Sequence, residues 1–253
     1  MKKRVMSMGL KILKISLAGL LSFIVFHLAA MPAWSGNKRM MSVRAAKVLA
    51  ERGLLETIYG FKLKASESVE DLVAASYLGS SETKTTGQLK GVHFEEIVYN
   101  EENDIAKVTA AVQMASITNI DGNTVDLGNK TYRRTAYATS TPGMTGAVAA
   151  LRAAELDAYT QLIKRIVGFR LESRTSMENY LLTSDMVKTK IMATLYLAEV
   201  KEFGWEKNGD AYVKMQVNVG EVSDVMGETV VGEGDVVEVT GQGAQQDDFK
   251  KAK

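Results

Sequence analysis

The stretch RAAELDAYTQLIKRIVGFRL, residues 152–171, repeats an earlier stretch of the same chain, RAAKVLAERGLLETIYGFKL, residues 44–63. Each residue of the second stretch lies 108 positions after its counterpart, and nine of the twenty aligned positions are identical. Other positions exchange similar residues, such as Lys62 for Arg170 and Leu55 for Ile163. The repetition indicates that the chain builds one structural unit twice.

Each stretch predicts a helix with one apolar face, followed by a short strand. Apolar residues recur every three or four positions, as they do on one side of an α-helix. They are Val43, Ala46, Ala50, Leu54 and Ile58 in the first copy, and Leu151, Ala154, Ala158, Leu162 and Ile166 in the second. Gly60 and Gly168 are expected to end the helices in the left-handed conformation. The alternation in Phe61-Lys62-Leu63 and Phe169-Arg170-Leu171 predicts the strands.

The rest of each copy predicts a shorter helix and a hairpin. Ser68-Val-Glu-Asp71 and Ser176-Met-Glu-Asn179 place a serine and acidic residues where a helix begins. In the second copy Asn208-Gly209 is a tight-turn signal between the segments 195–207 and 212–219. In the first copy the segments 92–100 and 108–114 form the corresponding hairpin. Matching Val108 with Val213 lowers the offset to 105, so the first copy's turn region is expected to be three residues longer.

Turn signals divide the remaining chain. Asp121-Gly122-Asn123 and Thr141-Pro142-Gly143 flank a strand-like segment, residues 130–140, and residues 236–239 predict one more strand before a solvated tail at 244–253. We therefore expect an α+β fold of two tandem small αβ units, each with a long helix, a short helix and an antiparallel sheet with a C-terminal hairpin. The expected domains are residues 36–120 and 121–235, followed by the terminal strand and tail, 236–253.

The first 35 residues have the pattern of a secretory signal peptide. Five basic residues without an acidic one precede the uncharged segment 15–30, and Pro32-Ala33-Trp34-Ser35 offers small residues for cleavage after Ser35. An uncleaved membrane anchor is the alternative, but a span usually needs about 20 apolar residues. The sequence therefore predicts export to the periplasm.

Charge and cysteine content limit the class of partner. Without residues 1–35 the chain keeps 26 of its 31 basic residues and all 30 acidic ones. This slightly acidic balance is unlike the basic surface of a nucleic-acid-binding protein. The sequence contains no cysteine, so we expect neither disulfides nor lipid attachment through a cysteine.

Few side chains are suited to catalysis or metal binding. His93 is the only histidine after the leader, and it is expected on the surface of a hairpin. Glu95 and Glu96 should face opposite ways on a strand. The segments 121–123 and 224–235 lack the dense carboxylates of a calcium loop, and the glycines after residue 231 do not complete a phosphate-binding motif. No catalytic residue, metal site or cofactor is predicted.

Two aromatic residues near the second hairpin tip, Phe203 and Trp205, are the candidate partner contact. The alternative is that both are core aromatics.

The order of these motifs resembles the LPP-twenty lipoprotein family, which includes the flagellar lipoprotein FlgP. The matching segments are RAAELDAY (152–159), LI (162–163), IVG (166–168), LKGV (89–92) and NGDAYV (208–213), within most of residues 43–115 and 130–220. The resemblance implies a small α+β envelope protein without enzymatic activity, and some family members form rings or disks at the outer membrane around the flagellar motor. Family members usually carry a lipid-accepting cysteine and many have one copy of the unit, so the resemblance implies that this chain is a non-lipidated tandem-repeat member.

We therefore expect a non-enzymatic periplasmic structural or assembly protein that associates with itself or with other envelope proteins, such as outer-membrane or flagellar ring components. An edge strand at residues 236–239 could join a neighbour by strand pairing. A ligand-binding module with a site between the two copies, around Thr139 to Gly146, is the alternative.

Overall fold

The computed structural model describes residues 37–60, 90–118, 122–173, 176–177, 185–231 and 234–244. In chain order these residues form α1 (Lys38–Gly60), β1 (His93–Asn100), β2 (Ile105–Thr118), β3 (Thr124–Thr139), a 3₁₀ turn (Pro142–Met144), α2 (Thr145–Val167), β4 (Arg170–Leu171), α3 (Asp185–Leu195), β5 (Glu199–Trp205), β6 (Ala211–Asn218), α4 (Val219–Met226), β7 (Val230–Val231) and β8 (Val236–Gly243). The four helices and three small antiparallel sheets of this part of the chain confirm the α+β class.

The first half packs α1 on an antiparallel sheet in which β2 lies between β1 and β3. The predicted apolar stripe of α1 faces this sheet, and Ala46, Ala50, Leu54 and Ile58 are buried. β2 is buried at every position of residues 105–112. Because successive strand residues point to opposite faces, both faces of this sheet are covered there, one by α1 and the other by the second half.

The second half packs α2 on the antiparallel sheet of β5, β6 and β8. The predicted stripe of α2, from Leu151 to Ile166, is also buried. Glycines in β8 allow a close approach, because a Cβ at Gly243 would overlap the Ala150 carbonyl oxygen. Along β6 buried and partly exposed residues alternate, so one face of this sheet is accessible to solvent.

The terminal strand predicted at residues 236–239 extends to Gly243 and pairs along its length with β6. Side chains of α2 bond its outer edge: Gln161 Nε2 donates to the Thr240 carbonyl at 3.0 Å, and the Gln242 N–H donates to Asp157 Oδ2 at 2.9 Å. These bonds occupy backbone groups near the end of β8 that a neighbouring strand would need.

α4 begins at Val219, which is the last residue of the strand predicted over residues 212–219. The Asn218 side chain caps it by accepting the N–H groups of Gly220 at 2.8 Å and Glu221 at 3.3 Å. Gly227 ends it in the left-handed conformation, with φ 78°. This short helix is inserted between β6 and β8.

Several predicted boundaries are corrected by the structure. Gly168 ends α2 with φ −71°, so the left-handed end predicted there is wrong. Leu195 ends α3, and the strand expected from that residue begins at Glu199. β3 pairs with β2, so the expected domain boundary at residues 120–121 falls inside the first sheet, and the chain passes to α2 at Ser140–Thr141. Both predicted hairpins are present.

Four predicted segments lie outside the described residues: the leader predicted at 1–35, the strand predicted at 61–63, the helix predicted from Ser68 and the tail predicted after Ala244. Most of the helix predicted from Ser176 lies outside them as well. None of the described helices has the length and apolar character that crossing a membrane requires.

Candidate interaction surface

Apolar side chains are exposed on α1 and on the neighbouring strand β1. Met40 is 69% exposed, and Ile97 and Phe94 are 47% and 36% exposed. The Lys47 ammonium lies 5.0 Å from the centre of the Phe94 ring, which places this helix face beside the strand. We call Met40, Lys47, Phe94 and Ile97 the α1–β1 surface. Grouped exposed apolar residues are typical of protein contact surfaces.

The strand in this surface is also an edge of its sheet. β2 pairs with one side of β1, and no other strand in the described part of the chain pairs with its outer side. Residues 93–98 are all exposed. An edge strand presents backbone N–H and C=O groups to which another chain can bond. The α1–β1 surface therefore combines apolar side chains with an uncovered backbone edge.

Four hydroxyl groups from three segments lie within 3.0 Å of the Asp104 carboxylate. Oδ1 accepts hydrogen bonds from Ser42 of α1 at 2.7 Å and from Tyr99 of β1 at 3.0 Å. Oδ2 accepts from Ser140 at 2.6 Å and from Thr141 at 2.7 Å. One carboxylate thus joins α1, the hairpin turn after β1 and the connection between β3 and α2.

These bonds stabilise the charged form of a buried group. Burial by itself would raise the pKa of the Asp104 carboxyl, but the hydrogen bonds from Ser140, Thr141, Ser42 and Tyr99 outweigh it and hold the pKa well below its ordinary value. Ser140 and Thr141 belong to the segment 139–146, where the alternative hypothesis places a ligand site. Both of their hydroxyls donate to Asp104. The cluster fixes the end of α1 that carries Met40.

The outer face of the first sheet packs against β5 of the second half. The Lys107 ammonium donates to the Val200 carbonyl at 3.2 Å and pairs with Glu96 at 2.6 Å, although Lys107 is only 2% exposed. Beside it, the rings of Tyr137 and Phe203 lie 5.3 Å apart. A polar bond and an aromatic contact therefore hold β5 on this face.

β3 adds charged contacts with the second half. The backbone N–H of Arg133 donates to the Tyr196 carbonyl at 2.8 Å, and the Arg133 guanidinium lies 3.7 Å from the Glu199 carboxylate. The buried side chains of Arg134 and Glu155, from β3 and α2, approach to 3.5 Å. Basic groups of the first half thus face acidic groups of the second.

The structure places the predicted partner-contact residues, Phe203 and Trp205, in half-buried positions on β5. Trp205 Nε1 donates to the Ala147 carbonyl at 3.4 Å, and the two rings meet edge to face at 6.3 Å. Both residues therefore hold β5 against the core, and a contact of their outer surfaces with a partner stays a prediction.

The expectation that Glu95 and Glu96 face opposite ways is wrong. The strand pairing shifts between Phe94 and Glu96, and such a bulge reorients the residue it contains. Glu95 pairs with Arg133 at 2.7 Å and Glu96 with Lys107 at 2.6 Å, and the strand register puts both cations on one face. The carboxylates are thus engaged in ion pairs. His93 is exposed at the start of β1, as predicted.

Two open depressions border α4, with volumes of about 730 Å³ and 480 Å³. Asp224 lines both of them, with Glu172 and Glu228 in the larger and Glu199 and Glu221 in the smaller. Within the described ranges, no three His, Asp or Glu side chains are grouped so as to hold a metal ion. The depressions therefore have an acidic, polar character without a metal-ligand geometry.

Sequence reasoning missed both the α1–β1 surface and the Asp104 cluster. In the strand sequence HFEEIVYN the apolar residues Phe94, Ile97 and Val98 break the alternation that a half-buried strand shows, which was an available signal. For Asp104 no local signal existed, because its donors come from positions 42, 99, 140 and 141.

Comparisons of this chain with protein-family models, with curated proteins and with solved structures find no match. Its function is therefore inferred from its own residues and contacts.

Proposed function

We propose that this chain is a non-enzymatic, exported envelope protein that acts as a structural or assembly component through protein–protein contacts. The observation that carries the proposal is the α1–β1 surface, where exposed apolar side chains lie beside an edge strand. Covering such a surface with a partner removes apolar area from water and favours association by roughly 25 cal/mol per Å².

The scaffold of this proposal consists of two tandem αβ units. Support comes first from the hairpins, which carry a bulge at matching places. The pairing shifts between Phe94 and Glu96 in the first hairpin, and between Val200 and Glu202 in the second. These positions lie 106 residues apart, close to the 108-residue offset of the two helices.

The third strands support the same alignment. Ala106 pairs with Ala138 in the first sheet, and Ala211 pairs with Gly243 in the second, so both strands keep an offset of 105 residues. Of the three extra residues in the first copy, this alignment places two before β1 and one in the hairpin turn. The units then comprise α1 with β1–β3, and α2 with β5, β6 and β8.

Location is a further part of the proposal. Residues 1–35 would direct export, with cleavage after Ser35, and the absence of cysteine from the sequence leaves no residue for thioether lipidation. The resemblance to the LPP-twenty family extends the proposal to peripheral outer-membrane association and to a role beside the flagellar motor.

Sedimentation analysis of the exported protein, together with pull-downs from the cell envelope, tests the proposal. We expect self-association or capture of a specific envelope protein, weakened about tenfold by Ile97→Asp because a charge would enter the contact. Met186→Asp is the matched control, since Met186 is 43% exposed on α3 and Ile97 is 47% exposed. A chain that stays monomeric at high concentration and captures no partner would refute it.

A further inference from the structure

The second half of the chain receives the first half on a surface made by β5 and α2. The Val200 carbonyl accepts a bond from Lys107 at 3.2 Å, and the Phe203 ring lies 5.3 Å from Tyr137. On α2, Glu155 pairs with a buried arginine of β3 and is 2% exposed. This receiving surface is therefore covered within the molecule.

The strand residues of the α1–β1 surface occupy the corresponding positions in the first unit. Under the proposed repeat, Phe94 corresponds to Val200 and Ile97 to Phe203, each 106 residues earlier. Val200 and Phe203 are partly buried against the core, whereas Phe94 and Ile97 are exposed. The first unit thus has exposed apolar residues at positions whose counterparts in the second unit contact the first half of the chain.

The helix residues follow the same correspondence. With the 108-residue offset, Met40 corresponds to Val148 and Lys47 to Glu155. Val148 and Glu155 are buried, whereas Met40 is largely exposed and Lys47 is half-buried. α2 therefore has a buried helix side whose counterpart on α1 is accessible to solvent.

The complementary face is accessible on the second unit. Lys107, Arg133 and Tyr137 of the covered face correspond, 105 residues later, to Tyr212, Glu238 and Gln242. β2 is buried along residues 105–112, but on β6 and β8 every second residue, including these three, is partly or fully exposed. The second unit thus presents the equivalent face to solvent.

Polar and charged residues also stand at the corresponding positions. Within the molecule, Arg133 on the covered face of the first sheet lies 3.7 Å from Glu199 of the receiving surface. At the corresponding positions the open face of the second unit has Glu238, which lies 3.9 Å from Lys214 of the same face. On the receiving side, β1 has His93, and Lys47 of α1 contacts the Phe94 ring.

We infer that the α1–β1 surface binds the open face of β6 and β8 of a second copy of this chain, so that the contact between the two halves is repeated between molecules. The inference depends on the proposed tandem repeat and identifies the partner of the proposed interaction surface. The contact is heterologous, so it builds a closed ring or an open row of copies.

Paired cysteines test this geometry, and the absence of native cysteine makes the background clean. Ile97 and Gln242 correspond to Phe203 and Tyr137, whose rings touch, so they should be neighbours across the contact. Full-length I97C protein is mixed with Q242C protein and treated with a short bis-maleimide. We expect a mixed dimer at about tenfold higher yield than with M186C and Q242C, whose first position has similar exposure. The double variant I97C/Q242C should give a ladder of higher oligomers.

The outcomes separate this inference from the proposed function. Equal yields for the I97C and M186C mixtures, with circular dichroism showing both proteins folded, would overturn the inference. If the unsubstituted chain still self-associates in sedimentation in that case, the proposed function stands and another surface is responsible. If it neither self-associates nor captures an envelope partner, the proposed function fails as well.

Discussion

Substituting Asp104 by asparagine tests whether the hydroxyl cluster holds α1 on its sheet. Asparagine keeps the size of the side chain and also tolerates the left-handed backbone that Asp104 adopts, with φ 47°. It changes the charge and replaces one acceptor oxygen by an amide that donates. Each carboxylate oxygen accepts two hydroxyl bonds of 3.0 Å or less, so two of these four bonds lose their acceptor.

Hydrogen bonds to a charged group contribute roughly 1.5–3 kcal/mol each. Two lost bonds at the low end of that range predict a decrease of about 3 kcal/mol in the free energy of unfolding. Urea denaturation followed by circular dichroism measures it. Glu102→Gln removes an exposed charge from the same turn and should change stability by less than about 0.5 kcal/mol. A loss for D104N no larger than this control would refute the reasoning.

Acidification provides an independent check on the same carboxylate. Its pKa is lowered in the folded state from an ordinary value of 3.8. A lowered folded pKa contributes stability that is present above the unfolded pKa and is lost as the pH falls towards the folded pKa. The stability difference between the unsubstituted protein and D104N should therefore shrink when denaturation is measured at about pH 3 instead of about pH 6. A difference that is constant over this range would contradict the assignment.

Three further predictions concern packing, the buried ion pair and export. Gly243→Ala should lower the free energy of unfolding by about 1–3 kcal/mol, because its Cβ would meet the backbone of α2, whereas Gly143→Ala adds a Cβ in open space and should be neutral in the same denaturation assay. Arg134→Met leaves the buried Glu155 carboxylate without its cation and should lower the free energy of unfolding by about 3–5 kcal/mol. In a double-mutant cycle, Arg134→Met combined with Glu155→Met should lower it by less than the sum of the two single changes. Mass spectrometry of the exported protein should find an N-terminus at Gly36, and an intact leader would contradict cleavage after Ser35.

Local patterns were enough to predict the two long helices and both hairpins. The spacing from Ala46 to Ile58 identified the buried side of α1, since that periodicity comes from the helix itself. Asn208-Gly209 located the second hairpin in the same way, and Gly209 has the positive φ that such a turn requires, 90°. The cap of α4 was also readable at Asn218, but the alternating residues before it favoured a longer strand.

The sequence by itself determined which helix faces are apolar, where the hairpins turn, and that His93 is the one histidine after residue 35. Only the tertiary structure decided that Asp104 collects hydroxyls from distant segments, that a bulge turns Glu95 and Glu96 towards one face, and that Met40 stays exposed. The reason is that periodicity and turn preference act over a few residues, whereas burial depends on which segments pack together. α1 and α2 have similar sequences but different exposed surfaces, because α2 packs on the first sheet as well as on the sheet of its own unit.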